Sequence, residues 1–236
     1  MRGREFLMKD MYSFHRTQEE LDTYFEVVHG AYDRVFERLG LADSTHYTFA
    51  SGGDFSKYSY EFQTEIAIGE DEIFVCGACG QAHNKEIIDE NNFVCVECAH
   101  MVCDRRIVSE SANIFKLGSR FSDVFGLKYQ DTDGQMKNVV MGCYGIGISR
   151  LMGLIAEKFA DDKGLIWPIQ VSPFSHIIIV IGDHLDEAKK IAKKLEPTGA
   201  SVLIDDRNTG FGQKAGDADL YGIPNRIIIS DKTIEK

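Results

Sequence analysis

The chain has 236 residues, 44% hydrophobic and 27% charged, with 22 glycines and four prolines. That balance excludes disorder and collagen-like repeats and is enough for one large domain or two small ones. Lys and Arg number 26 against 37 Asp and Glu, a net charge of −11, which argues against a protein that coats nucleic acid, so no DNA partner is expected.

From Pro173 onward nine basic residues face ten acidic ones, so nearly all the surplus acid belongs to the first 172 residues. No apolar run reaches the roughly 18 to 20 residues of a membrane span. The opening MRGREFLMKDMYSFH is charged in every turn, unlike a secretory leader. A cytoplasmic chain with no membrane partner is expected.

Taken in order, Arg4 to His15 is rich in Phe, Leu, Met and Tyr and reads as a buried strand running into a loop. Thr17 followed by Glu19 and Glu20 is a helix start, and Leu21, Tyr24, Phe25, Val28, Tyr32, Val35, Phe36 and Leu39 recur at helical spacing up to Gly40. Ser51 to Asp54 reads as a turn and Tyr58 to Ile68 as a strand. Cys76, Cys79, Cys95 and Cys98 then form two CxxC pairs fifteen residues apart. Two such knuckles offer four soft thiolates to a tetrahedral ion, so a structural Zn²⁺ is expected there, with unbound thiols as the alternative.

Beyond the cysteines, Asn113 to Leu117 and Val139 to Tyr144 read as central strands. The second ends in Gly145-Ile146-Gly147-Ile148-Ser149-Arg150, a glycine turn leading into a helix from Leu151 to Phe159, where a ligand can meet exposed backbone. Pro168 and Pro173 mark the expected domain boundary. After it, β-branched runs at Ile177–Ile181, Ser201–Ile204 and Ile227–Ile229 alternate with helices at His184–Leu195 and around Lys214–Tyr221, which predicts an α/β unit with a largely parallel sheet.

Two stretches of the first domain carry chemistry that suits a nucleotide. Arg2, Phe6 and Asp10 share one segment, and Arg150 follows the glycines of the other. A phenylalanine on a strand can stack on a base, and an arginine pairs with phosphate oxygens. Each stretch alone occurs by chance. In order, with REFLMKDMYSFH, YEFQ, IFKLGSRFS, VVMGCYGIGISR, GLIWP and VLIDDRNTGFGQKAGDADLYGIPNRIIISD, they resemble the bacterial-type prolyl-tRNA synthetases, a family of class II aminoacyl-tRNA synthetases. The resemblance covers nearly the whole chain outside residues 70–105.

It implies an incomplete class II α+β catalytic domain over residues 1–172, an antiparallel sheet with helices, carrying a zinc-ribbon insert at about 70–105 where relatives carry an editing domain. Residues 173–236 would be an α/β anticodon-binding domain lacking its C-terminal end. The implied activity is ATP-dependent activation of proline to prolyl-adenylate and transfer to tRNA(Pro), with no editing in cis. Phe6 would stack on adenine, with Asp10 and Gly147 beside the ATP. Arg2 or Arg4 would reach the phosphates, Arg150 would neutralise the γ-phosphate, and Glu110 would hold Mg²⁺. Proline would lie near Tyr12, Phe14, His15, Glu61, Phe62, Cys143 and Gly145, and Asp206 and Arg207 would meet the anticodon.

This chain has Tyr60 where the family usually has His, and ESANIF where it usually has a glycine before Asn or His. The resemblance begins inside motif 2, so the chain reads as a fragment, a split gene or a shortened form of an enzyme whose full-length version is a homodimer. The alternative is a non-catalytic tRNA-binding or regulatory paralogue. Plainer readings make His15 a satisfied core histidine, Cys143 a small buried residue, and Lys189, Lys190, Lys193 and Lys194 a solvated helix face.

Overall fold

The structure is a computed structural model that describes residues 3–53, 58–88 and 92–234. It divides into two compact units, Met1–Leu154 and Ile155–Lys236. Residues just ahead of the proline-marked boundary expected at 172 are already packed with the second unit. The reason is local: the Leu165 and Trp167 amides donate to the carbonyls of Leu220 and Gly222, and the Trp167 indole donates to that of Tyr221, so this stretch is built into the second fold.

In the first unit, β1 (Met8–His15), β2 (Thr45–Ser51), β3 (Tyr58–Glu65), β4 (Asp71–Cys76), β5 (Ala82–Asn84), β6 (Cys103–Gly118) and β9 (Val140–Gly147) form one seven-stranded sheet in the order β1-β9-β6-β3-β2-β5-β4. The short helix α2 (Arg120–Phe125) is followed by a hairpin, β7 (Lys128–Gln130) with β8 (Met136–Asn138), that forms a separate two-stranded sheet. β6 is sixteen residues long: its second half pairs with β3 and β9, while its first half pairs with β4. Because β4 returns to β6, the strands β6, β3, β2, β5 and β4 close on one another in a circuit.

One face of the sheet is covered by α1 (Gln18–Arg38). The Thr17 side chain accepts the Glu20 amide at its start, and Leu21, Phe25, Val28, Tyr32 and Phe36 are its buried stripe. Period-two alternation sends Tyr60 and Phe62 of β3 and Tyr144 of β9 to this face, where Phe62 packs on Tyr32 and Phe36 and Tyr144 on Phe25. Gly142 belongs here as well: a Cβ on it would lie 2.3 Å from the Tyr144 hydroxyl oxygen. β1 is an edge strand and half exposed, not buried as expected, because its outer side has no partner among the described residues.

The second unit matches its expected class. β10 (His176–Val180) lies between β11 (Val202–Asp205) and β12 (Asn225–Ile229), and both pairings are parallel. Ile177 and Ile179 pack on Ala218 of α5 (Phe211–Tyr221), while Ile178 and Val180 pack on Ala188 of α4 (Leu185–Leu195). The central strand is therefore apolar on both faces and reads as a continuous β-branched run. Among the described residues, no helix is long and apolar enough to cross a membrane.

Candidate functional site

The sheet face opposite α1 carries a cleft of about 530 Å³ in the first unit. Three neighbouring strands line it, two of them by simple alternation. Met8, Asp10 and Tyr12 of β1 stand opposite Gly147, Gly145 and Cys143 of β9, and Glu110, Asn113 and Phe115 of β6 continue the floor. Gly145 and Gly147 are strand residues rather than the expected turn, since β9 runs directly into α3 (Ile148–Lys158). Their role is space. A Cβ on Gly147 would already touch Arg150 Cβ at 3.4 Å and the Ser111 carbonyl at 3.6 Å, and any longer side chain would fill the cleft.

Phe6 and Arg150 both line this cleft. Phe6 precedes β1 rather than lying on it, and its ring is half exposed. It is held there because the Leu7 amide donates to Ser149 Oγ (2.9 Å) while the Ser149 amide donates to the Leu7 carbonyl (3.4 Å), which ties the segment to the first turn of α3. Arg150, on that same turn, donates to the Glu110 backbone carbonyl, with its Nη1 3.3 Å from Glu110 Oε2. Ser149 and Asn113, which lie within the GIGISR and ESANIF stretches but were not among the expected site residues, are also part of the wall.

A register shift between β3 and β6 explains how Glu110 and Asn113, three residues apart, share a face. Glu61 pairs with Asn113 and Phe62 with Ala112, but Gln63 pairs with Glu110, leaving Ser111 as the extra residue. Bulges re-aim side chains in this way. Ser111 Oγ donates to the Phe62 carbonyl (2.7 Å), which pins it. Asn113 Nδ2 then reaches both Glu61 Oε1 (3.2 Å) and Glu110 Oε1 (3.4 Å).

Several expected site residues are not brought to the cleft. Phe62 is only 2% exposed and lies under α1. His15 is on the α1 side too, partly buried, bonded to Ser13 Oγ and packed on Tyr24. Phe14 shares a face with Tyr12 but is exposed beyond the cleft, and Arg4 is exposed outside it. Arg2 lies outside the described residues. Glu61 is buried behind Asn113 rather than lining the wall. In the second unit Asp206 is exposed, whereas Arg207 bridges Asp205 and Asp217 at 2.7 Å each, an anchoring contact within the fold.

The electrostatics are uneven. Burial, and then the neighbouring Glu110 charge, push Glu61 up to about 7. Burial and the Asp10 carboxylate raise the Cys143 thiol, so it is a neutral wall of the cleft rather than a nucleophile. Tyr12 donates to Asp10 Oδ2 (2.9 Å), and that bond leads the causes that push its hydroxyl up to about 12.

The Glu61 shift has a testable sign. Between the unfolded value of 4.5 and about 7 the folded chain holds a proton that the unfolded chain has lost, so stability falls as pH rises through that window. The full loss is about 3 kcal/mol, complete above pH 7. Urea midpoints from pH 5 to 8 should decline more steeply for the native chain than for Glu61→Gln, and equal slopes would remove Glu61 as the cause.

The four cysteines form a separate centre. Sγ–Sγ separations are 3.6 Å for Cys76–Cys98, 3.6 Å for Cys79–Cys95 and 3.5 Å for Cys79–Cys98, and all four sulfurs lie within 4.8 Å of one another. A tetrahedron with Zn–S bonds of about 2.3 Å has edges of about 3.8 Å, so the donor set fits zinc. Each knuckle is a turn whose backbone folds on its first cysteine: the Gly80 amide donates to the Cys76 carbonyl and the Ala99 amide to the Cys95 carbonyl.

Comparison with known proteins agrees with this geometry. Residues 1–159 match the family described as tRNA synthetase class II core domain (G, H, P, S and T), and residues 175–236 match the anticodon binding domain. The chain is 34% identical over 258 aligned residues to a proline--tRNA ligase of Sulfurimonas denitrificans, covering 97% of this chain and 58% of that protein. It is 31% identical to the probable mitochondrial proline--tRNA ligase of Rattus norvegicus, covering 100% of this chain and 51% of the relative. A proline--tRNA ligase of Thermosipho africanus is 46% identical over 128 residues, 53% of this chain and 23% of its own. The chain thus spans little more than half the length of relatives that it matches from end to end.

Proposed function

We propose a proline–tRNA ligase function from one premise: the chain belongs to the class II tRNA synthetases, whose core-domain family its residues 1–159 match. The supporting observation is the convergence of Phe6 and Arg150 on a single cleft floored by glycines. In this reading the Phe6 ring stacks on adenine and the Arg150 guanidinium faces the γ-phosphate. Asp10, Tyr12, Cys143 and Gly145 form the wall against which proline rests, with Gly147 leaving room for the nucleotide.

The proline carboxylate attacks the α-phosphorus of ATP, forming the acyl-phosphate bond of prolyl-adenylate and releasing pyrophosphate. A terminal ribose hydroxyl of tRNA(Pro) then takes the prolyl group and AMP leaves. Neither step needs a protein nucleophile; this chain contributes orientation and charge neutralisation. Mg²⁺ would be held by Glu110 together with the phosphates and would supply charge neutralisation. Zn²⁺ at Cys76, Cys79, Cys95 and Cys98 is structural in this reading, since four thiolates leave no open position.

The second unit would meet the anticodon through the loop at Asp206, with Arg207 setting the loop's shape. A cytoplasmic location, where ATP and tRNA are available, and a homodimer for the full-length enzyme complete the proposal. Proline-dependent exchange of labelled pyrophosphate into ATP tests it. Exchange with proline and not with alanine is expected, and ATP binding without any proline-dependent exchange would favour a non-catalytic tRNA-binding relative instead.

A further inference from the structure

A buried chain of polar contacts runs from the four-cysteine module to the cleft, and its near end is built by the module's own strands. Asn84 of β5 donates through Nδ2 to Glu61 Oε2 (3.1 Å) and to Asp71 Oδ2 of β4 (3.0 Å). Gln63 Nε2 makes the same double contact from β3, at 2.8 and 3.0 Å. The other oxygen of Glu61 accepts from Asn113, which reaches Glu110, and Glu110 faces Arg150. Glu61, Gln63 and Asn84 are all more than nine-tenths buried.

The position of Asn84 depends on the knuckles. β5 has only three residues, too few to hold a register alone. Its hairpin with β4 is closed by the first knuckle, where the Cys76 amide donates to the Gln81 carbonyl and Cys76 and Cys79 supply two sulfurs. The neighbouring His83 accepts the Val96 amide on its Nε2 (3.2 Å), which fastens β5 to the second knuckle beside Cys95. An ion that draws the two knuckles together therefore also fixes the backbone that carries Asn84.

We infer that metal occupancy of the four-cysteine module sets the nucleotide affinity of the cleft, with Asn84 as the positioning residue that carries the effect through Glu61, Asn113 and Glu110 to Arg150. The inference rests on the ligase reading only in naming ATP as the ligand that responds. Buried carboxylates tolerate a cluster of this kind only while each donor stays in place. Loss of the Asn84 donor leaves Gln63 as the single amide between the two acids, and Glu61 moves toward the amides of Gln63 and Asn113. Glu110 and Arg150 shift with it.

The full chain, loaded with zinc and then stripped by a chelator, gives two readouts: ATP affinity by calorimetry and backbone amide exchange by mass spectrometry. Stripping should weaken ATP binding by on the order of tenfold, a common size for coupling between sites. It should speed exchange at residues 58–65 and 108–114 as well as in the module, and restored zinc should reverse both. Asn84→Ala, with all four cysteines intact, should retain one zinc per chain and yet show the weakened ATP binding, and stripping it should add little further loss. Exchange changes confined to residues 71–104 would overturn the inference, as would zinc-loaded Asn84→Ala binding ATP as tightly as the native chain. A native chain that binds no ATP at all would sink the ligase reading, while the exchange pattern would still decide the coupling.

Discussion

Arg150→Ala should lower kcat/KM for proline-dependent ATP–pyrophosphate exchange by about 10³-fold, a loss of roughly 4 kcal/mol of transition-state stabilisation. The size follows from what the guanidinium faces. Arg150 sits on the cleft wall with its side chain 20% exposed, paired with Glu110 rather than spent on a distant structural contact. Removing it deletes a cation opposite the triphosphate and takes from the Glu110 carboxylate its cationic partner on this wall. Electrostatic groups aimed at developing charge in a shielded site produce effects of this order. Arg150→Lys restores a charge but not the planar fork and should recover only part of the rate. Both variants should melt within a few degrees of the native chain. An Arg150→Ala chain that exchanges within threefold of native at an unchanged melting temperature would remove Arg150 from the mechanism.

How far such a site can be read from the chain alone varies with the locality of the signal. α1 was legible because its cap, its stripe and its terminating glycine are all written in one continuous segment. The four-cysteine cluster was legible from spacing, since two CxxC turns need no long-range information to bring four sulfurs together. Phe62 and His15 point away from the cleft, and strand alternation carries that signal: Glu61 and Phe62 point to opposite sides, as do Phe14 and His15. The bulge at Ser111 carries no such mark. It arises from pairing β6 with three other strands at once, and it alone lets Glu110 and Asn113 converge. The return of β4 to β6, which brings Asp71 and Asn84 against Glu61, is non-local in the same sense.

The second large effect lies in the other unit, at a residue that the helical pattern around 214–221 made unremarkable. Lys214 is 2% exposed, and its ammonium donates to the carbonyls of Val180 (2.6 Å) and Asp205 (3.1 Å), at the carboxyl ends of β10 and β11, with Asp205 Oδ1 4.0 Å away. Strand-end carbonyls here have no further ladder partner, so the lysine does for two parallel strands what a cap does for a helix. Lys214→Ala takes away the one ammonium that serves both carbonyls, opens a cavity the length of the side chain, and leaves the Asp205 carboxylate to Arg207. The expected cost is about 3 to 5 kcal/mol, which for a unit of this size lowers the melting temperature by more than about 12 °C. Trp167 is the single tryptophan of the chain, and its indole is bonded to the Tyr221 carbonyl within this unit, so its fluorescence follows this unfolding selectively. Lys214→Met, which keeps most of the volume, should lose less than the alanine variant but more than half as much, because the unpaired carbonyls rather than the cavity dominate. If fluorescence-detected urea midpoints put Lys214→Ala within about 1 kcal/mol of native, below the cost of a single unmade buried hydrogen bond to a charged group, the lysine does not hold the strand ends together.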